Sequence, residues 1–329
     1  MTGSKPYRAA REAVAVMDRS DRARIEFSGD QAEATLNGLL TNDVTTLAPG
    51  SGHYAAALTA KDKVIADVRV FARAGSYLVD TGAAAAPGLL AMLRRSVNPR
   101  FAKFRDVSGE QATVGLFGPD AAAVVVSLCG LEMGTLDSLR PYAHLATAFS
   151  SDACLVARVP DLGATEYDIF VPMRLREPLI AAARAAGAGA LDAATADLLR
   201  IEAGRPLWGT DMNEDTLAQE AALDRTDLGA ISFEKGCYTG QETVARVHFR
   251  GHVNRTLRGL RCAGPVAPRN HITHASNENA GEVRSSAVSP RLGAIALAYV
   301  RREIAGGEVV TVRGSAEDVQ ATVVDLPFA

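Results

Sequence analysis

Near Gly251 the chain changes texture, and this change constrains its fold more than any other feature. Downstream, short β-like runs (Thr256 to Arg261, Ala294 to Tyr299, Val309 to Val312 and Ala321 to Val324) alternate with clusters of Gly, Pro, Asn and Ser. No run there carries the apolar spacing of an amphipathic helix. Residues 251–329 are therefore expected to form a separate small β-barrel.

Upstream, strands and helices follow one another twice. From Ser28, SGDQAEATLNGLL places Leu36, Leu39 and Leu40 on one helical stripe, with Asp30 and Glu33 spaced as a capping box. His53 to Thr59 is β-like, and Lys61-Asp62-Lys63 makes a polar turn. Val64 to Phe71 then alternates: Val64, Ala66, Val68 and Val70 share one face, and Ile65, Asp67, Arg69 and Phe71 the other. Ala74-Gly75 turns the chain into Tyr77 to Asp80, which implies an antiparallel meander. PGLLAMLRRS, from Pro87, reads as a helix. The order recurs with strands at Phe101 to Val107, Gln111 to Phe117, Ala153 to Val159 and Glu166 to Val171. Helices are expected over AAAVVVSLC after Asp120, near Arg174 to Ala186, and over Ala193 to Ala203. This pattern predicts α+β layers rather than a doubly wound parallel sheet. It divides the chain into residues 1–110, residues 111–250 and residues 251–329.

Composition narrows the function. With 47% hydrophobic and 22% charged residues the chain can bury a core, which excludes a disordered or fibrous protein. A net charge of −3 gives no global basicity to suggest nucleic acid. Apolar windows fall short of the ~20 residues of a spanning helix, and the N-terminus reads as neither signal nor transit peptide. A cytoplasmic protein without a membrane partner is expected. The four cysteines (Cys129, Cys154, Cys237, Cys262) have no C-x-x-C spacing, so reduced thiols are expected rather than a disulfide framework. His271/His274 and His248/His252 lack partners at ligand spacing, and no metal site is expected. No phosphate-binding glycine loop or serine-hydrolase elbow is present.

One segment stands apart: Phe233-Glu-Lys-Gly-Cys-Tyr-Thr-Gly-Gln-Glu242, followed by TVARVHFRGHVNR. Cys237 lies two residues from Lys235, between Gly236 and Gly240. A nearby positive charge lowers a thiol pKa, and glycines admit close approach, so Cys237 is a candidate reactive thiol. The alternative is a small buried hydrophobe. The other cysteines sit in apolar text and read as core. Arg246, Arg250, Arg255 and Arg258 make a basic run that reads as a solvated face or an attractor of anions.

KGCYTGQE with VARVHFRG resembles the signature of the YgfZ-type folate-binding proteins, bacterial relatives of a mitochondrial iron–sulfur assembly factor. These share ancestry with the T-protein of the glycine cleavage system, the tetrahydrofolate-dependent aminomethyltransferase. LNGLLTNDVTTLAPGSGHYAAALTAKDKVIADVRVF and LLRIEAGRPLWGTDMNEDTLAQEAAL resemble regions common to both, so the similarity runs over most of the chain. It implies a three-domain ring, with two intertwined α+β domains and the barrel, around a hole that takes tetrahydrofolate. Asp67 falls where the transferase keeps the carboxylate facing the reacting folate nitrogen; a structural ion pair with Arg69 is the alternative. Asp168 matches a pterin-binding Glu, and Arg205 and Trp208 are candidates to line the hole, Trp208 otherwise being a packing anchor. The transferase's arginine for the glutamate tail falls on Ala196, and its paired aspartates reduce to Ala66-Asp67, while the transferases lack the cysteine of KGCYTGQE. The resemblance thus implies an accessory protein, rather than a classical enzyme, that serves iron–sulfur client enzymes or assembly proteins. In it Cys237 and Lys235 are the chemical pair, and Gly236, Tyr238, Gly240, Gln241 and Glu242 shape the loop. A folate-dependent one-carbon transferase using Asp67 as acid/base is the alternative.

Overall fold

A computed structural model describes residues 3–315 and 317–328. Its framework is two antiparallel-rich sheets and a barrel. The first sheet has strands in the order Gly52–Leu58, Val64–Arg73, Ser76–Thr81, Ala23–Ser28, Lys103–Asp106. Val64, Ala66, Val68 and Val70 are fully buried, as their alternation requires; the last three pack under the helices Ala32–Leu39 and Ala86–Ser96, and Val64 joins the neighbouring core. Leu36 and Leu40 fill the same core. The capping box does not form: that helix starts at Ala32, with Gln31 as an uncapped N-cap, so Asp30 falls outside its first turn.

The second sheet has six strands, ordered Gly189–Ala190, Ala15–Asp18, Gln111–Phe117, Glu166–Pro172, Asp152–Arg158, His144–Phe149. Its strand Ala15–Asp18 comes from the N-terminal region, so the two layers are threaded through each other. Helices Ala121–Cys129 and Arg176–Ala185 cover it.

Residues from Arg255 onward close into a six-stranded barrel. Its longest strand, Asn277–Ser289, occupies text whose Ser and Asn read as loop. Pairing on both edges, with His271–His274 and Gly293–Arg301, satisfies a backbone that propensity alone would not order. The helix Ala193–Glu202 pins the barrel to the rest. Arg200 donates to the Asp211 carboxylate (2.7 Å) and to Ser285 Oγ (2.9 Å), and Ser285 donates to Asp211 (2.6 Å). Buried Glu202 accepts from Tyr7 (2.9 Å), and also from Arg11 and Ser289. No helix among the described residues is long and apolar enough to cross a membrane.

Candidate active site

Where the two sheets meet the segment 193–207, a cavity of about 280 Å³ opens. Its volume is at the small end of small-molecule sites. Asp67 reaches it from the strand Val64–Arg73, from the strand face opposite the buried valines. Tyr54, on the neighbouring strand, donates its hydroxyl to Asp67 (2.9 Å). Burial pushes the Asp67 carboxyl above the usual range, against the opposing pull of Arg22 and of the Tyr54 hydrogen bond.

The expected alternative, an Asp67–Arg69 ion pair, does not form. Arg69, 1% exposed, is spent elsewhere: on Asp80 (2.9 Å), Asp161 (2.9 Å) and Asp168 (2.7 Å). Arg19 bridges Asp168 (3.1 Å) and Asp161 (2.7 Å), and Arg22 holds Asp80 (2.6 Å). Three guanidiniums thus balance three carboxylates beneath the cavity. Burial alone would raise Asp161, but Arg69 and Arg19 outweigh it and hold the acid well below its normal range. Asp168 belongs to this network. It is fully buried with both oxygens bonded to arginine, and it is not on the cavity wall.

Arg205 lines the cavity. Its guanidinium lies 5.5 Å from the Tyr54 ring centroid and donates to the Tyr142 hydroxyl (3.2 Å). Of the five arginines on the cavity wall, the other four each pair with a carboxylate; Arg205 has no such partner among the described residues. Trp208 is not on that wall. It packs half-buried between two cores, its indole N–H 3.4 Å from the Val64 carbonyl, and is the packing anchor. Tyr142, Arg19, Arg22 and Asp161 were missed from sequence because each is brought in by a strand or loop distant along the chain, and Tyr54 because only the hairpin register sets it beside Asp67.

The KGCYTGQE loop lies against residues 37–42. Lys235 donates to the carbonyls of Asn37 (2.6 Å), Leu40 (2.8 Å) and Asn42 (2.9 Å). The first two are acceptors that the helix Ala32–Leu39 leaves open at its C-terminus, where a cation is favoured, and the third belongs to the loop that follows. Lys235 is thus a helix clamp with its three donors occupied, rather than an ammonium presented to the Cys237 thiol. Burial lowers its pKa to about 8, Asp43 opposing. Thr239 N–H adds a bond to the Gly38 carbonyl (3.0 Å). Gln241 caps the loop internally by donating to the Lys235 carbonyl (3.4 Å). Glu242 is exposed in the first turn of the helix Gln241–Arg250 and makes no hydrogen bond among the described residues, so it acts at most on the helix dipole.

Gly240 has a structural reason. At φ +92° it precedes that helix, and a Cβ there would lie 2.7 Å from the Thr59 carbonyl oxygen. Gly236 has open space around it and is not sterically required. Cys237 is exposed at the outer face of the loop, whereas Cys129 and Cys154 are buried and Cys262 half-buried.

Tyr238 turns inward, 7% exposed, with no hydrogen-bond partner for its hydroxyl among the described residues. Beside it, Asp62 is fully buried with both carboxylate oxygens unpartnered. Burial raises the Asp62 pKa to about 7, with the Ala218 amide and Lys63 too weak to compensate. Its folded pKa lies above the unfolded value, so stability falls as pH rises from about 4 to about 7 and is flat beyond. Asp62→Asn keeps the shape and tolerates the local φ of +61°. The variant is expected to be more stable than wild type at pH 8, by up to about 4 kcal/mol. The gap should close near pH 4; a denaturant titration showing no gain at pH 8 contradicts the ionised, unpaired state.

Two α+β sheets threaded through each other, an arginine- and aspartate-lined cavity where they meet, and a closed barrel pinned to them define a T-protein-type three-part fold. The chain belongs to the glycine cleavage T-protein family: residues 4–227 match the GCVT N-terminal domain and residues 255–329 the glycine cleavage T-protein C-terminal barrel domain. It is 31% identical to the aminomethyltransferase of Rubrobacter xylanophilus, over 98% of this chain and 85% of that one. It is likewise 31% identical to the aminomethyltransferase of Streptomyces avermitilis, over 97% of this chain and 87% of the relative. The crystal structure of glycine cleavage system aminomethyltransferase T from Bartonella henselae superposes with a TM-score of 0.87. That match covers 99% of this chain and 89% of that one, at 22% identity, and speaks for the fold alone.

Proposed function

We propose that the chain binds tetrahydrofolate in the Asp67 cavity and serves as a folate-dependent one-carbon transferase of the aminomethyl type. The observation that carries this is Asp67: a carboxylate on a small-molecule cavity, unclaimed by any guanidinium and oriented by one hydroxyl. Relatives of 31% identity over nearly their whole length are named aminomethyltransferases, and tetrahydrofolate is the family's cofactor. Bound there, the folate would supply the nitrogen that gains or gives up the one-carbon unit. Asp67 accepts and returns a proton at its carboxylate, which burial makes a stronger base than an exposed aspartate. Tyr54 fixes the carboxylate's direction. Arg205, with no carboxylate of its own, is placed to hold the anionic part of a folate, which answers the loss of the arginine expected at Ala196. Saturable tetrahydrofolate binding by calorimetry, and turnover of an aminomethyl donor that requires it, test the reading; absence of both sinks it.

A second reading rests on a different observation, the exposed Cys237 on a loop otherwise clamped by Lys235, Tyr238 and Thr239. It supports an accessory role of the YgfZ type in assembling or repairing iron–sulfur clusters of client enzymes. The thiolate on this fixed loop can attack a partner's disulfide, forming a mixed disulfide and releasing the partner's other sulfur as a thiolate, without rearranging its support. In cells lacking the gene, activity of an iron–sulfur enzyme is expected to return with wild type and stay low with Cys237→Ala. Full rescue by the variant would remove the thiol from this role. One-carbon turnover by Cys237→Ala is expected to match wild type, which separates the two activities.

A further inference from the structure

We propose that a second cleft, between the Val64–Arg73/Ser76–Thr81 hairpin and one end of the second sheet, is a binding site for a small organic anion with an apolar body. Its volume is about 750 Å³, and its lining includes Arg73, Gln111, His144, Leu155 and Phe170. It shares no lining residue with the Asp67 cavity.

Three side chains lining this cleft each carry one buried polar atom outside any geometric hydrogen bond. Nε of Arg73, Nδ1 of His144 and Oε1 of Gln111 are buried atoms without a hydrogen-bond partner among the described residues. His144 is 6% exposed. Buried polar atoms are nearly always paired, so three in one cleft mark its wall as short of polar partners and able to take a polar guest once the side chains turn toward it. They come from three separate elements: Arg73 from the end of its strand, Gln111 from the start of the strand Gln111–Phe117, and His144 from the start of the sheet's edge strand.

The sign of the ligand follows from Arg73. Among the described residues no carboxylate lies within ion-pair distance of it; Glu26 is felt only at longer range. Glu110, at the cleft's edge, is already paired with Arg105. The cleft therefore carries one uncompensated positive charge. Burial and then Arg73 hold His144 down at about 4, against the nearby carbonyls of Tyr142 and Ala72, so the ring is neutral at pH 7 and adds a hydrogen bond rather than a second charge. A guanidinium fork and a neutral imidazole suit a carboxylate or sulfonate. Phe170, Leu155 and Leu145 offer apolar wall for the remainder of the molecule.

The probe is 8-anilinonaphthalene-1-sulfonate, an aromatic monoanion, titrated by fluorescence into the full-length protein. Two variants accompany it: Arg73→Met removes the charge, and Ala146→Trp fills the cleft from an exposed position of the edge strand. The wild type is expected to show one saturable site, weakened about tenfold or more in Arg73→Met. Binding should be lost in Ala146→Trp, with thermal melts of both variants unchanged. The uncharged 1-anilinonaphthalene should bind wild type and Arg73→Met alike, and saturating tetrahydrofolate should not displace the dye. No saturable site in the wild type, equal affinity in both variants, or displacement by tetrahydrofolate would each overturn the proposal.

Discussion

Arg69→Met is expected to lower stability by about 3–5 kcal/mol at pH 7, because it leaves buried carboxylates without their counter-charge. Arg69 is the one residue that touches Asp80, Asp161 and Asp168 together. With it gone, Arg19 and Arg22 must balance three acids in a site where Asp80 and Asp168 are fully buried. The pH dependence has a definite sign. In wild type, Arg22 and Arg69 hold Asp80, and Arg69 and Arg19 hold Asp161, below the usual range against burial. Their stabilisation is thus present above about pH 4 and is lost as pH falls through the lower folded values. In the variant a carboxylate short of a partner takes up a proton instead, so the deficit is largest at pH 7–8 and shrinks toward pH 4–5. Arg105→Met is the control: its ion pairs are more than half exposed on the arginine side, and its loss should leave the melts close to wild type. Denaturant melts across pH 4–8 measure both. A change under 1 kcal/mol for Arg69→Met would mean that the network is not what holds the two sheets in register.

Asp67→Asn is expected to lower one-carbon turnover by about 10²–10⁴-fold, the range of a lost general acid/base group. The amide keeps the shape and can still meet the Tyr54 hydroxyl, so tetrahydrofolate affinity should change less than about tenfold. Burial raises the Asp67 pKa, and the group must be unprotonated to accept a proton. The wild-type rate should therefore fall on the acid side, at a pH above that of an exposed aspartate. That limb should vanish from the residual rate of the variant. A variant with normal turnover, or one that keeps the same acid limb, would place the proton elsewhere.

Much of the frame was legible because it rests on local periodicity. Val64, Ala66, Val68 and Val70 alternate with Asp67 and Arg69, and this fixed both a buried face and the face that meets the cavity. The Gly, Pro and Asn punctuation after residue 251 announced the barrel. Errors came where a residue's partner lies far along the chain. Asp168 follows strand alternation, but its burial is decided by Arg19 and Arg69, which are 149 and 99 residues away. Lys235 stands two positions from Cys237, yet its ammonium bonds to carbonyls 193–198 residues earlier. Sequence proximity suggested thiol activation; the helix end that needed a cation took the lysine instead. Trp208 could line a hole or fill a gap between cores, and only the arrival of two packed layers around it selected the second.

By itself the sequence determined most strands and helices between residues 32 and 203, the β character of the C-terminal part, and the two residues on which chemistry can be argued, Asp67 and Cys237. These follow from side-chain periodicity and residue type, which act within a few positions. The tertiary structure alone decided which charges are spent and which are free. Burial and pairing depend on elements that meet only after the sheets thread through each other. That is why three aspartates became struts while Asp67 stayed unclaimed at the cavity wall.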